Sequence, residues 1–462
     1  MTISESTGSS LELLATILAD ESFRPKEPGR LEETGLPSSL VESLICKHLL
    51  LAGRRSGRQL SDDICLSFSL LEKTFMHLRS RQIIVHQGSA PLNDYFYGLT
   101  DTGRDRAAQD MANCSYTGPA PVPLMDYVLS AEAQTIRAEC PRESRLHEAF
   151  QDISVNPDLF DSLGPAINSG AGLFLYGQPG NGKSTLARRI TQCFGHQIWV
   201  PTAIFEDGQI IKLYDAAFHE KADSEQDSIL KDAAFDRRWL RIRRPTVVVG
   251  GELTLDALEI RHDPRSNVSE APLQLKSNGG CLLVDDFGRQ RIEPAELLNR
   301  WIVPLESRID YLTLASGKKI QVPFEQLIIF STNIEPADLV DEAFMRRIPY
   351  KVEIGDPSAG EFHDLFRLYA PRFRCEYRPE VVDYLIQEHY IKPNRSMRRC
   401  HPRDLLGQIR NWCVYKEVPM EMLPEHFDRI AGSYFTMVIG KEGTRSMAAT
   451  AAEPGSSAGP TR

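Results

Sequence analysis

The sequence lacks apolar runs long enough to span a bilayer: its short apolar stretches, such as residues 246–250 and 327–330, fall far below the roughly 20 residues that a membrane helix needs. The first residues, Met1-Thr2-Ile3-Ser4-Glu5, contain neither the basic patch nor the apolar stretch of a secretory leader. We therefore expect no membrane insertion and a cytoplasmic location.

The sequence also lacks paired cysteines and an excess of basic charge. Its 9 cysteines are scattered, without a close pair at metal-ligand spacing, so we expect reduced thiols instead of metal ligands or bridges. The formal net charge of −10 argues against a protein that coats nucleic acid indiscriminately. A local DNA-binding face stays open.

The amino-acid composition is typical of a soluble, globular protein, and the length predicts several domains. The chain has 462 residues, of which 42% are hydrophobic and 25% charged, enough for two to four domains with their own cores. Composition predicts disordered tails over residues 1–30 and 439–462. The prolines at 119, 121 and 123 exclude a helix and predict a stiff linker across residues 115–143.

Residues 31–114 are predicted to form a separate α+β module. Helical periodicity over residues 38–51, 60–68 and 70–81 is followed by short strand-like runs and a further helix at 101–111. This order resembles a winged-helix module, and the resemblance implies that its third helix enters a DNA groove. In that case the contacting side chains would be Lys73, His77, Arg79 and Arg81. Because charges in the module nearly cancel, DNA contact through residues 70–97 and protein contact stay open as alternatives.

A glycine-rich octet lies between a predicted strand and a predicted helix. The apolar run at 173–176 precedes it, and helical spacing follows it. Glycines let a loop wrap a phosphate with its backbone N–H groups, a lysine reaches the outer phosphates, and a hydroxyl binds Mg²⁺. The sequence therefore predicts an ATP site with Mg²⁺, in which Ser184 is a metal ligand. The predicted nucleotide-binding residues are Gly177, Gln178, Pro179, Gly180, Asn181, Gly182, Lys183, Ser184 and Thr185.

Two further apolar strands end in residues suited to ATP hydrolysis. The run at 281–284 ends in Asp285, predicted to bind Mg²⁺, and Asp286, predicted to face the attacking water. The run at 327–330 is followed by Asn333, whose amide is suited to contacting the γ-phosphate or water. Farther on, Arg346 and Arg347 are a potential source of positive charge for the transition state.

The order of these motifs resembles the AAA+ ATPases, from about residue 145 to residue 435. In that family's terms residues 177–184 look like Walker A, residues 282–286 like Walker B, Asn333 like sensor 1, and residues 341–347 like the arginine-finger segment. The resemblance implies a P-loop AAA+ fold: a three-layer αβα domain with a parallel sheet at 144–354 and a helical lid at 355–438. It also implies a homo-oligomer, most simply a hexamer, and a sensor 2 role for Arg403.

A β-hairpin is predicted at residues 311–322, just before Asn333. A hairpin at this place resembles the AAA+ clade of enhancer-binding proteins, MoxR-type chaperones and chelatase subunits. Its tip residues Lys318 and Lys319 either contact a substrate or only keep an exposed turn hydrated.

The basic run at 237–244 also has two interpretations. It faces a pore or DNA, or it pairs with acidic residues of an adjoining subunit.

One departure from the family pattern concerns Asp286, where most AAA+ proteins carry glutamate. Aspartate is one methylene shorter, so the base would sit farther from the water and hydrolysis would be slow.

The leading hypothesis is an ATPase that remodels an unidentified protein client or a protein–DNA complex. An ATP-switched DNA-binding regulator or loader, and a nucleotide-binding assembly scaffold, are the alternatives.

Overall fold

The computed structural model describes residues 23–151, 157–195, 197–222, 235–339 and 342–446. Contacts within the chain divide it into two units. The larger unit comprises Met1–Phe150, Asp158–Tyr176 and Ser184–Val352, and the smaller unit comprises Gln151–Pro157, Gly177–Lys183 and Glu353–Arg462. The glycine-rich loop thus groups with the smaller unit, and Ser184 with the larger one.

The described residues form the following elements. The strands are β1 (Arg54–Ser56), β2 (Ile84–Ala90), β3 (Asp94–Leu99), β4 (Val122–Pro123), β5 (Leu173–Tyr176), β6 (Gln197–Pro201), β7 (Ala203–Glu206), β8 (Gln209–Lys212), β9 (Trp239–Arg243), β10 (Thr246–Val249), β11 (Arg261–Asp263), β12 (Val268–Glu270), β13 (Cys281–Val284), β14 (Ile309–Thr313), β15 (Lys319–Pro323), β16 (Leu327–Thr332) and β17 (Tyr350–Glu353). The α-helices are Ser38–Ala52, Gly57–Ile64, Phe68–Ser80, Asp101–Asn113, Leu124–Ala133, Glu143–Phe150, Pro157–Ser169, Lys183–Ile190, Leu273–Lys276, Pro294–Ser307, Pro336–Leu339, Glu342–Arg347, Ala359–Tyr369, Pro379–Ile386, His401–Lys416 and Pro424–Ser446. Short 3-10 helices lie at Leu31–Thr34, Ile136–Ala138, Thr191–Cys193, Leu255–Leu258 and Ala370–Phe373, and a π-helix lies at Gln387–Ile391.

The N-terminal part of the larger unit contains the predicted helices and strand-like runs, and one strand that was not predicted, β1, between its first two helices. The predicted helices at 38–51, 70–81 and 101–111 are present, and β1, β3 and β2 form an antiparallel sheet in that order. A capping box between Ser56 and Gln59 fixes the start of the helix Gly57–Ile64, earlier than the predicted residue 60. β2 runs from Ile84 to Ala90, with a shift of register against β3 between His86 and Ser89. Assignment to a winged-helix module stays a prediction.

Residues 115–143 are more than the predicted linker. The prolines do exclude a helix up to Pro123, but Val122 is fully buried and β4 pairs in parallel with β7. The helix Leu124–Ala133 follows and buries Tyr127, whose hydroxyl accepts a hydrogen bond of 2.8 Å from Asn278. Apolar side chains at these positions make burial more favourable than an extended, solvated linker.

A five-stranded parallel sheet forms the centre of the larger unit, with the order β10-β13-β16-β5-β17. Its central strands β13 and β16 are apolar runs with every residue buried, as expected where both faces of a sheet are covered. Phe174 of β5 and Phe330 of β16 pack in one cluster with Trp301 of the helix Pro294–Ser307. The α/β class with a parallel sheet, predicted from the sequence, is confirmed.

The long stretch between β6 and β13 builds additional β-structure. β6 pairs antiparallel with β9, and a mixed sheet has the order β11-β12-β8-β7-β4. Ala203, Ile210 and Val268 of this sheet belong to the same hydrophobic core as the N-terminal helices. The N-terminal part and the mixed sheet therefore bury a common core.

The predicted hairpin before Asn333 is present as β14 and β15. At its tip the ammonium of Lys318 lies 2.8 Å from a carboxylate oxygen of Glu206, and the hydroxyl of Ser316 donates to Asp207 at 3.0 Å. Lys319 is exposed. Within this chain the tip is held by the turn between β7 and β8.

Three arginines of the basic run at 237–244 pair with groups of the same chain. Arg237 bonds Asp62 at 2.7 Å, and Arg244 bonds Glu139 at 2.8 Å. Arg238 is 3% exposed and forms a forked pair with buried Asp236, while its other nitrogen donates to backbone carbonyls in two distant segments. Within this chain, hydrogen bonds to nearby groups hold these three arginines.

The smaller unit is helical, as predicted for residues 355–438. The helices Ala359–Tyr369, Pro379–Ile386 and His401–Lys416 enclose an apolar core that includes Phe362 and Leu406. The last helix, Pro424–Ser446, continues past residue 438, where the sequence predicts the helical region to end and a disordered tail to begin. Residues 447–462 lie outside the described residues.

Residues 23–30, which the sequence predicts to be part of a disordered tail, make specific contacts. The Pro25 carbonyl accepts a hydrogen bond of 3.1 Å from the Asp236 N–H, and the Phe23 ring lies 5.3 Å from that of Trp239. Residues 1–22 lie outside the described residues. Within the described part of the chain, no helix is long and apolar enough to cross a membrane.

Candidate functional site

The glycine-rich loop connects β5 to the helix Lys183–Ile190 and has a backbone that needs its glycines. Gly177, Gly180 and Gly182 have φ values of 131°, 85° and 84°, where a Cβ atom is disfavoured. A Cβ on Gly177 would lie 2.5 Å from the Ile354 carbonyl oxygen, and one on Gly180 would lie 2.7 Å from the Cys400 sulfur. Both conformation and space therefore require glycine at 177 and 180.

Lys183 reaches back into this loop. Its ammonium donates hydrogen bonds to the carbonyl oxygens of Gly177 at 2.9 Å and Gln178 at 3.0 Å, and the residue is 6% exposed. Gln178 and Pro179 are exposed at the crest of the loop. The loop thus encloses a cation that is suited to an anionic ligand.

Asn181 attaches the loop to two other segments of the smaller unit. It is fully buried, its amide nitrogen donates to Asp356 at 2.7 Å, and its oxygen accepts from the Arg399 N–H at 3.3 Å. The Cys400 N–H donates to the Gly180 carbonyl at 2.9 Å. Arg398 forms an ion pair with Asp356. This network was not predicted from the sequence. The feature that could have indicated it is the adjacent pair Arg398-Arg399.

Arg403 lies near the start of the helix His401–Lys416. Its side chain is 59% exposed and pairs with the neighbouring Asp404 at 2.8 Å. In this structure Arg403 pairs with the residue next to it in the chain. The role of Arg403 in sensing a nucleotide stays a prediction.

Ser184 and Asp285 meet in the larger unit although 101 positions separate them. The Ser184 hydroxyl donates to Oδ1 of Asp285 at 2.8 Å. Ser184 lies in the first turn of its helix and Asp285 directly follows β13, whereas Thr185 is exposed. The carboxyl ends of parallel strands share one edge of the sheet, which explains why these distant residues meet.

Asp286 and Asn333 are also brought together. The Asn333 amide donates to Oδ1 of Asp286 at 3.3 Å, and Asp286 is exposed. The Asp286 backbone is left-handed, with φ 51°. An exposed carboxylate held by an amide is an available hydrogen-bond acceptor for a water.

The predicted arginine-finger residues have different surroundings. Arg347 bonds Glu306 at 2.6 Å, whereas Arg346 is exposed. Both lie at the end of the helix Glu342–Arg347.

The oxygen atoms of Ser184 and Asp285 fit Mg²⁺ in chemistry, because this ion prefers hard oxygen ligands and usually needs only one or two from the protein. No group of three or more His, Cys, Asp or Glu side chains suited to a metal is found among the described residues. Water and other oxygen ligands would fill the remaining positions around an ion held by these two oxygen atoms.

Comparisons with known proteins give limited matches. A family described as a domain of unknown function (DUF8689) matches residues 358–431. No curated protein matches the chain. Solved structures that are similar include NtrX from Brucella abortus in complex with ADP, with 13% identity and a TM-score of 0.36, covering 58% of this chain and 53% of that one. Another is the Holliday junction branch migration motor RuvB from Thermotoga maritima, with 14% identity and a TM-score of 0.33, covering 63% of this chain and 68% of that one.

The chain thus spans about half the length of the NtrX structure. At these identities and TM-scores the likenesses support no statement about activity. The α/β P-loop arrangement with a parallel sheet rests on the strands, loop and helices described above.

Proposed function

We propose that this chain binds ATP with Mg²⁺ and hydrolyses it as an oligomeric AAA+ machine that remodels a protein or protein–DNA target. The observation that carries the ATP-binding part is the 2.8 Å hydrogen bond between Ser184 and Asp285. The Ser184 hydroxyl directly follows the P-loop lysine, and the Asp285 carboxylate follows a strand of the parallel sheet. Together they offer the two oxygen ligands that a nucleotide-bound Mg²⁺ takes from a P-loop protein.

The loop supplies the phosphate-binding part of the proposal. Glycines at positive φ expose backbone N–H groups, and the Lys183 ammonium already lies within the loop. Carbonyl oxygens hold this ammonium at present, and phosphate oxygens are stronger acceptors for it because they are charged.

Hydrolysis would depend on Asp286 and Asn333. Mg²⁺, when bound by Ser184 and Asp285, would supply positive charge to the phosphates. The Asp286 carboxylate would orient a water and accept its proton, and Asn333 would hold that carboxylate through the 3.3 Å contact. Because aspartate is shorter than glutamate, we expect slow turnover, which also favours the alternative of an ATP-switched DNA-binding regulator or loader.

The oligomeric and target-binding parts of the proposal rest on the surface. Exposed Arg346 is available to a neighbouring subunit, consistent with a ring such as a hexamer. On the helix Phe68–Ser80, Lys73 is exposed and Arg79 lies 3.3 Å from the His86 ring nitrogen Nε2. Glu42 binds His77 and Arg81 at 3.2 and 3.1 Å. The surface at 70–97 thus offers fewer unengaged cations than its sequence contains, and a protein client is as compatible with it as DNA.

Phosphate release from ATP by purified protein, with and without Mg²⁺, tests the proposal. We expect Mg²⁺-dependent turnover, loss of fluorescent-nucleotide binding in Lys183→Ala, and retained binding with greatly reduced turnover in Asp286→Asn. Asn299→Ala, which changes an exposed carboxamide, is the control. Wild-type protein that binds no nucleotide would overturn the proposal, and binding without turnover above the Asp286→Asn level would leave only the scaffold alternative.

A further inference from the structure

The carboxamide of Gln290 bridges the turn that carries both strand-end aspartates. Its nitrogen donates to the backbone carbonyl oxygens of Asp285 at 2.9 Å and Asp286 at 3.1 Å. Its oxygen accepts from the Gly288 N–H at 2.8 Å. One side chain thus satisfies three backbone groups of a four-residue turn, a function that the sequence motifs did not assign.

This turn has a backbone that needs support. Asp286 and Gly288 have φ values of 51° and 96°, and the left-handed conformation is unfavourable for a residue with a Cβ, such as Asp286. Such conformations persist when the surroundings over-determine them. The Gln290 hydrogen bonds are one such constraint.

The end of β16 provides the second constraint. The Phe287 N–H donates to the Ser331 carbonyl at 2.7 Å, and the Thr332 hydroxyl donates to the Phe287 carbonyl at 2.9 Å. These contacts fix the residue after Asp286, whereas Gln290 bonds the carbonyls of Asp285 and Asp286 themselves. The Asp286 carbonyl also accepts from the Arg289 N–H at 3.0 Å. Asn333 donates to the Asp286 carboxylate.

We propose that Gln290 is a positioning residue for Asp286, and this inference rests on the ATPase activity proposed above. An aspartate has only two side-chain torsions, so the place of its carboxylate follows the backbone closely, whereas a glutamate has a third torsion with which to adjust. A fixed left-handed backbone therefore determines where the Asp286 carboxylate lies. Errors near 1 Å in such a group cost on the order of 10²-fold in rate.

Kinetics of Gln290→Leu and Gln290→Glu test the inference. Leucine removes all three hydrogen bonds, and glutamate keeps the acceptor for Gly288 but turns a carboxylate toward two carbonyl oxygens. We expect kcat to fall by about tenfold or more in both variants, with KM for ATP, nucleotide affinity and the thermal midpoint close to wild type. Asn299→Ala is the matched carboxamide control.

A double-variant comparison separates positioning from a general structural effect. In an Asp286→Asn background, Gln290→Leu is expected to change the residual single-turnover rate less than twofold, because the group it positions is already disabled. Equal losses in both backgrounds, unchanged kcat in the single variants, or a KM change with constant kcat would overturn the inference while leaving the ATPase proposal intact. Absence of turnover in the wild type would overturn both.

Discussion

The carboxamide of Asn181 donates a 2.7 Å hydrogen bond to Oδ1 of Asp356, and both residues belong to the smaller unit. Arg398 pairs with the same carboxylate, and the Arg399 N–H donates to the oxygen of Asn181. The loop at 177–183 is therefore fixed to the segment that precedes the helix His401–Lys416. A change in this segment should therefore alter the conformation of the loop, and a change in the loop should alter the segment.

Asn181→Asp is predicted to weaken nucleotide binding. The variant has nearly the same shape but places a carboxylate against Asp356 in a buried position, where like charges repel strongly. We expect the dissociation constant of a fluorescent ATP analogue to rise at least tenfold. The double variant Asn181→Asp/Asp356→Asn restores a donor–acceptor pair, and failure of this double variant to regain affinity would argue against the hydrogen bond as the cause.

His401 predicts a pH dependence of stability in the smaller unit. Burial, followed by the charge of Arg398, lowers the pKa of His401 from 6.5 to about 4, although Asp404 and Asp356 act in the opposite direction and Arg395 in the same one. Nδ1 lies 2.9 Å from the Tyr390 hydroxyl and accepts from the Arg398 N–H at 3.2 Å, so protonation there breaks the second bond.

Because the unfolded chain takes up the proton at a higher pH than the folded chain, stability is fully present above pH 6.5 and is lost as pH falls toward 4. The loss at pH 5 should approach about 2 kcal/mol. Urea unfolding at pH 7 and pH 5 measures it, and His401→Gln, which keeps an acceptor without a titrating ring, should show a smaller difference. An equal pH dependence in both proteins would contradict this assignment.

Arg238 is predicted to be a major determinant of stability. Its guanidinium bonds buried Asp236 and donates to the carbonyl oxygens of Thr34 and Pro121, each at 3.0 Å. Removing it leaves a buried carboxylate unpaired, so Arg238→Met should lower the free energy of unfolding by about 3–5 kcal/mol. Arg243→Met is the control, because that side chain is 57% exposed and should cost about 1 kcal/mol or less. Similar losses for the two variants in urea unfolding would refute the role of Arg238.

The parallel sheet and the loop could be predicted because each rests on local signals. The apolar runs of β5, β13 and β16 are continuous, and the residues that follow them carry the chemistry. The meeting of Ser184 with Asp285 followed from these strands sharing one sheet edge. The helices of the smaller unit were equally accessible, since their periodicity and prolines at the first turn mark them.

Residues 115–143 and 201–278 could not be predicted to the same extent. β4 has only two residues, and its pairing with β7 depends on chain segments about 80 positions away. The partners of Arg238 are backbone carbonyls, which no side-chain pattern indicates. Gln290 was missed for a similar reason, because it acts through backbone groups of its own turn.

Arg346 and Arg347 are predicted to differ in function although they are adjacent. Arg347 has 19% of its side chain exposed and bonds Glu306, so it supports its own helix, whereas exposed Arg346 is available to another subunit. Arg346→Ala should lower ATP turnover at least tenfold, because it removes charge supplied to the transition state, without changing the urea midpoint. Arg347→Ala should change turnover less and the midpoint more.

In mixtures, Arg346→Ala chains still offer a complete loop and Lys183→Ala chains still offer Arg346, so turnover should reappear at intermediate ratios. Mixtures that stay inactive at every ratio, despite forming oligomers by light scattering, would show that Arg346 does not act on a neighbouring chain.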